Sequence, residues 1–451
     1  ILQRSISSFS FYPLYMNFSY KQIWIIAYPI LISLLMEHMI NVTDTAFLGH
    51  VGEVELGASA LAGVLYMAIY MLGFGFSLGL QVVVARRNGE GNLAQTGEIF
   101  WQGLLFLVSL SILTFTLSKV ASPLILRKVI SSGEIYQAVM KYIDWRDYSF
   151  LFVFPILAYR AFFVGITQTK VLTANSILLV TTNAALNYLL IFGVCGFPRL
   201  GIAGAAIASS LAEIAALIHI VIYTHLKIDK KKYGWRPTVN LPLLGQLFRI
   251  SSWTMIRSFF CIAPWFLFFI AIEHLGERQL AAGNVVRSVS VMLFVIVNSF
   301  ATTGISLVSN LIGAQQVNNV LPICWKTVKL SYAVGTPFVL AAALLSKPIL
   351  GIYTNSSEVI ETAYAPFLLM LSTFFLAAPA YTYCNAIIGT GKTKTAFVFQ
   401  IITIIVYLVY LYGLSIREQL PLIMYWTAEQ LYALLLLGLS LYYLKRGNWK
   451  E

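Results

Sequence analysis

Between Tyr28 and Gly52 the chain reads YPILISLLMEHMINVTDTAFLGHVG, an apolar run that holds Glu37, His38, Asn41 and Asp44. Placing an ionisable side chain at the centre of a bilayer costs roughly 2.5–3.5 kcal/mol on insertion scales, so such residues ordinarily line a cavity or a pathway. Glu37, Asn41 and Asp44 follow i, i+4, i+7 spacing, which sets them on one face of a helix. Two further polar pairs have helical spacing, Asn183 with Asn187 and Ser209 with Glu213. Together, such carboxylates and amides can hold a proton, because burial raises a carboxyl pKa and a nearby like charge raises it further. The same oxygens can hold Na⁺, a hard cation with the ligand preference of Ca²⁺.

Structural roles compete with these. Asn183, Asn187 and Ser209 can equally serve as hydrogen-bonding glue between helices. Glu37 and Glu213 can pair with basic residues of the other half of the chain, and His38 reads as a satisfied interior side chain. Arg160 and Arg257 fall near span ends, where snorkelling accounts for them. Arg287 lies deeper and either pairs with an acid or faces a cavity.

Composition decides what carries these residues. The 451 residues are 59% hydrophobic and 11% charged, with a mean hydropathy of +0.79. An all-α polytopic membrane protein needs that much apolar surface, whereas a membrane barrel would alternate in short segments. Runs long enough to span lie at 23–48, 57–85, 98–118, 146–166, 172–194, 201–226, 251–274, 279–311, 325–346, 362–389, 393–415 and 422–444, about twelve in all. The net charge of +12 sits between these runs, which fits lipid-facing loops and argues against nucleic acid as a partner. Cys195, Cys261, Cys324 and Cys384 show no paired spacing, so neither a disulfide framework nor a metal site is expected. No nucleophile–base set or nucleotide motif stands out, so the chain reads as a non-enzyme without a cofactor.

Lys and Arg are roughly twice as frequent on one side, which places both termini in the cytoplasm of a multi-pass protein of the inner (plasma) membrane. The expected organisation is an N-terminal segment at 1–22, a six-helix lobe at 23–226, a basic linker at 227–250, a second six-helix lobe at 251–444 and a tail at 445–451. Met16 reads as a natural start, which makes residues 1–15 extraneous. The segment 119–146 has the pattern of an amphipathic helix on the membrane surface.

The halves repeat. His50-Val-Gly-Glu recurs as His274-Leu-Gly-Glu, and 274 − 50 = 224. The same offset carries Gly89 to Gly313, Pro155 to Pro379, Gly165 to Gly389 and Thr169-Lys170 to Thr393-Lys394. An even number of spans per half makes the two repeats parallel around a central cavity. The polar set does not recur: Glu37 maps to Cys261, Asp44 to Phe268, Asn183 to Tyr407, Asn187 to Leu411, Ser209 to Ala433 and Glu213 to Leu437. Architecture alone would have kept those groups in both halves, so they serve something done by the first.

The runs DTAFLGHVGEVELGASALAG, ARRNGEGN, RAFFVGITQTK, NAALNYLLIFG and GIAGAAIASS, with IRSFFCIAPWFLFFIAIEHLG and IIGTGKTKT in the second half, resemble the multidrug and toxic compound extrusion (MATE) family. The likeness extends from Tyr28 to Leu444. The first-span Asp, Arg257-Ser in the seventh span and the absence of a mid-membrane acid in the second half are most similar to the DinF-like branch. The resemblance implies a monomeric secondary antiporter that exports amphiphilic, cationic organic compounds by alternating access, in exchange for H⁺ or Na⁺. It also implies Asp44, Asn183 and Ser209 as coupling residues, with Asn187 where some relatives carry Asp. That departure removes a negative charge and favours H⁺. Glu37, Asn41, Glu213 and Arg287 are expected behind this site or around the substrate cavity. A lipid-linked oligosaccharide flippase of related architecture is the alternative, with Arg287 as the residue in its favour.

Overall fold

The computed structural model describes residues 16, 18–130, 132–261, 263–273, 275–354, 356–417, 420–447 and 449–450; the segment 1–15 lies outside them. The described residues form fifteen α-helices and no strand: α1 Tyr20–Gly49, α2 Glu53–Gly89, α3 Leu93–Val129, α4 Gly133–Arg146, α5 Ser149–Gly165, α6 Lys170–Phe192, α7 Ile202–Lys227, α8 Leu241–Phe260, α9 Ala263–Glu273, α10 Glu277–Gly313, α11 Val320–Leu344, α12 Ser346–Tyr353, α13 Ser357–Gly389, α14 Thr393–Ser415 and α15 Leu422–Arg446. Eleven stretches are long and apolar enough to cross a membrane, or twelve if α4 and α5, bent by 48° to each other, make one span.

The 224-residue offset governs helix ends as well as motifs. It carries the bounds of α2 onto those of α10, the end of α3 onto that of α12, the start of α4 onto that of α13 and the end of α5 onto that of α13. Caps repeat too. Gly52 and Gly276 precede α2 and α10, while the Ser132 and Ser356 hydroxyls accept from the first turns of α4 and α13. Such capping fixes where a helix can start, independently of what the helix later packs against.

Two departures from this symmetry matter. The counterpart of α1 is divided into α8 and α9, and the counterpart of the single helix α13 is divided into α4 and α5. Among the described residues α4 therefore does not lie apart on the membrane surface. Its face of Ala138, Val139, Tyr142 and Ile143 is buried, it packs against α2 and α7, and its last residue, Arg146, points into the first half.

The halves meet where α2 packs along α8 and α10, and where α1 packs on α10. The glycines of GFGFSLGL permit this approach: a Cβ at Gly75 would come 2.5 Å from the Thr254 carbonyl oxygen, and one at Gly79 would come 2.7 Å from the Ser251 Cα. Close helix packing through small residues is a standard solution in membranes, where no hydrophobic force drives helices together. At the linker end, Asn88 donates to Asn310 at 2.6 Å, Asn310 donates to the Gly165 carbonyl at 3.1 Å, and Arg86 donates to the Thr390 carbonyl at 2.8 Å. That end of the bundle is closed.

The linker is strapped to α3. Gly97 N–H donates to the Tyr233 carbonyl, Gln102 to the Thr238 carbonyl, and the Asn240 amide to Glu98. Trp235 stacks on Phe100, with ring centroids 4.5 Å apart.

Candidate functional site

Asp44 lies near the far end of α1, opposite the linker, and is surrounded by α6 and α7. Asn187 Nδ2 donates to Asp44 Oδ1 at 2.5 Å and to Asn183 Oδ1 at 3.1 Å. Asn183 Nδ2 donates to Ser209 Oγ at 3.0 Å, and Ser209 Oγ donates to Asp44 Oδ2 at 3.3 Å. The four residues close a ring on the carboxylate, with donors supplied to both of its oxygens. The i, i+4 spacing puts both asparagines on the face of α6 turned to α1. The alanine- and glycine-rich start of α7 (IAGAAIASS) lets its backbone approach: a Cβ at Gly204 would come 2.7 Å from the Leu190 carbonyl oxygen.

A buried ion pair stands beside the ring. Arg146 Nη1 lies 3.2 Å from Glu213 Oε1 and donates to Ser149 Oγ at 2.8 Å. Its guanidinium covers the Tyr66 ring at 4.1 Å, and the Tyr66 hydroxyl donates to Glu213 at 3.4 Å. Side chains of the pair are 14% and 8% exposed, so each charge depends on the other. Arg146 also acts electrostatically on Asp44.

Glu37 lies two turns earlier on α1 and pairs with Arg160 of α5 at 2.9 Å. Ser33, one turn before it, donates to Glu37 at 3.4 Å and meets Ser176 at 2.7 Å. Both acids are thus partnered inside the first half and not by the basic residues of the second. Arg160 is buried, so snorkelling does not describe it. Asn41, expected on the same face, is exposed, and none of the hydrogen bonds among the described residues involves it. Shared helical spacing with Glu37 does not bring Asn41 into the contact with α6, because packing and not spacing decides which part of a face is covered. Arg287 is exposed, with its guanidinium 5.0 Å from the Phe269 ring centre.

The second half does carry an acid within a span. Glu429 lies on α15 and accepts from the Tyr407 hydroxyl at 2.9 Å. Its position inside the apolar run 422–444 was the signal, the same one that marks Glu37. Arg146 offered no such signal, because it closes a short amphipathic helix. Arg257 is also buried and not at a water-facing end.

The sequence profile of the MatE family matches residues 29–189 and 255–412, a stretch in each half. The chain belongs to the MatE family. That makes it a membrane transporter and not an enzyme, and its helical architecture is the family's. It is 25% identical over 384 residues to the probable multidrug resistance protein NorM of Photorhabdus laumondii subsp. laumondii, covering 84% of this chain and 83% of that protein. The probable multidrug resistance protein NorM of Thermotoga maritima is 23% identical over 393 residues, covering 85% and 83%. Among solved structures, a MOP superfamily transporter from Pyrococcus furiosus superposes with a TM-score of 0.87 at 16% identity, over 96% of this chain and 97% of that one. The eukaryotic MATE transporter AtDTX14 gives 0.78 at 17% identity, over 95% and 96%. At these identities the structural likeness speaks to the fold.

Proposed function

We propose that this MatE protein exports amphiphilic organic cations in exchange for H⁺, with Asp44 as the group that takes up and releases the proton. The closed ring around Asp44 carries the reading. Both carboxylate oxygens accept hydrogen bonds, so a proton arriving on either has no acceptor unless the ring rearranges. Asn187 supplies one: its Oδ1 is buried without a hydrogen-bond partner, and an amide that turns over presents that oxygen to a protonated Asp44. The turned amide gives up its bond to Asn183, while Ser209 still donates to the other Asp44 oxygen. Proton binding therefore rearranges the contacts among α1, α6 and α7, and this is the local event that biases one conformation of the lobe over the other.

The ligand set supports H⁺ over Na⁺. Asp44 and Glu213 are two anions and Arg146 is one fixed cation, while Glu37 and Arg160 neutralise each other. One negative charge is left, which one monovalent cation of either kind cancels. Asn187 gives Na⁺ an amide where a second carboxylate would hold it far better. Alternating access between the lobes at 23–226 and 251–444, closed in this state by the Arg86, Asn88 and Asn310 contacts, completes the cycle. The basic linker then faces the cytoplasm. The NorM relatives are named for multidrug resistance, which supports drug-like cations as cargo. The DinF-like assignment rests on Asp44 and Arg257. Glu429 removes one of its arguments, the absence of second-half acids. A flippase for anionic lipid-linked sugars would ring its cavity with arginines free to meet phosphate; in the first half Arg146 and Arg160 are committed to carboxylates, which leaves Arg257 and Arg287 of the second half as its support.

Proteoliposomes loaded with a fluorescent organic cation and given separate pH and Na⁺ gradients test the proposal. Export is expected with the pH gradient alone and is expected to vanish in Asp44→Asn. Full export by that variant removes Asp44 from the mechanism.

A further inference from the structure

The repeat relates the charged pair of the first half to something different in the second. Glu37 and Arg160, in contact across α1 and α5, correspond at the 224-residue offset to Cys261 and Cys384. Ser33, which backs Glu37, corresponds to Arg257. The second half has thus kept a buried guanidinium and lost the carboxylate that would neutralise it. Arg257 is 8% exposed, its Nη2 meets only the Cys384 sulfur at 3.7 Å, and its Nε is buried without a partner. No carboxylate of the described residues comes within 4.0 Å of it. A buried charge is costly unless paired, so this one calls for an anion from elsewhere.

Nearby polar atoms are also unspent. Gln400 Oε1, Trp426 Nε1 and Asn385 Oδ1 are buried without hydrogen-bond partners, and such groups in a folded protein require a ligand or water. Beside them, Glu429 opens onto a cavity between α9, α10, α13 and α15, walled by Trp265, Phe294, Tyr381 and Tyr432. Arg257 is outside this lining; it meets Cys384, which stands one helical turn after Tyr381 on α13. The cavity measures about 30 Å³ here, room for a water or two, so an amphiphile enters when the halves rearrange.

We infer that the second half holds a two-charge binding site for zwitterionic amphiphiles, in which Arg257 takes the carboxylate and Glu429 the ammonium of one molecule. Trp265, Tyr381 and Tyr432 pack on the body of the ligand, their ring faces favouring the end that carries positive charge. The site is separate from the Asp44 ring and deepens the transport reading above, on which its role in export rests. It names a substrate feature, an anionic group, that Arg146 and Arg160 of the first half, committed to carboxylates, do not accept.

Three fluorescent probes that differ only in charge test it: Nε-dansyl-lysine, its methyl ester (ammonium only) and its Nα-acetyl derivative (carboxylate only). Each is titrated into the full chain in lipid nanodiscs, with no ion gradient. Wild type is expected to bind the zwitterion about ten-fold more tightly than either partner. Arg257→Gln is expected to weaken the zwitterion and the acetyl probe about ten-fold and leave the ester unchanged. Glu429→Gln is expected to do the reverse, sparing the acetyl probe. Arg257→Lys keeps the charge and should keep most of the zwitterion affinity. An unchanged probe ranking in both folded Gln variants overturns the inference. A wild type without preference for the zwitterion also overturns it, and this result stands even if the Gln variants fail to fold. The titrations use wild type and the Arg257 and Glu429 variants without an ion gradient, so they are read separately from the gradient-driven export that tests Asp44.

Discussion

Gly89 and Gly313 each face the backbone of the other's helix. A Cβ on Gly89 would come 2.0 Å from the Asn310 carbonyl oxygen, and one on Gly313 would come 2.1 Å from that of Arg86. The 224-residue offset relates Gly89 to Gly313 and Arg86 to Asn310, so the contact is self-complementary, like an isologous dimer interface built within one chain. Both residues are glycine because neither backbone can yield to a side chain there.

The first prediction follows from that contact. Gly89→Ala and Gly313→Ala should each disfavour the closed linker end by about 1–3 kcal/mol, the usual cost of overpacking. Spin labels at Glu90→Cys and Gln315→Cys, read by pulsed electron resonance, should report a longer distance in both variants, with export reduced and the helical signal unchanged. Equal distances in wild type and variants would show that the contact does not set the conformation.

Exposure separates the Arg146–Glu213 pair from the Arg160–Glu37 pair. Arg146 and Glu213 are both nearly inaccessible, whereas the Glu37 side chain is 36% exposed. Arg146→Gln should therefore destabilise the protein by about 3–5 kcal/mol by leaving Glu213 alone, and Arg146→Gln with Glu213→Gln should recover most of the loss. The matching cycle on Glu37 and Arg160 should give a smaller coupling, because the Glu37 carboxylate is less buried. Thermal unfolding in detergent measures both cycles, and a larger coupling for the second pair would refute the ranking.

Asn187→Asp restores a second carboxylate next to Asp44. Two anions in one site hold a cation more tightly than one, so a Na⁺ gradient alone should begin to drive export in this variant. Proteoliposome export under separate gradients is the measurement. A variant that ignores Na⁺ as wild type does would mean that Arg146 still satisfies the site.

The linker strap makes a local prediction. Gly234 has a φ of +56°, and a Cβ there would come 2.2 Å from the Ala94 carbonyl oxygen, so Gly234→Ala meets both backbone strain and a clash. Trypsin should cut at Lys230 to Lys232 faster in this variant than in wild type, with the helices intact. Equal cleavage rates would show the strap to be loose already.

The sequence determined the apolar runs, the repeat and the identity of the Asp44 ring. Those are properties of one dimension: hydropathy over a span, identity at a fixed offset, and i, i+4 spacing that puts Asn183 with Asn187 on any helix. Only the tertiary structure decided partners. Asn187 finds Asp44 across 143 positions because α6 packs on α1. Arg146 reaches Glu213 because the fourth span is bent by 48°, and no hydropathy profile contains that bend. Glu37 pairs with Arg160 while the same place in the second half holds two thiols and an unpaired arginine. Charge pairing depends on which helix faces meet and at what depth, and that is set by packing among all the helices at once.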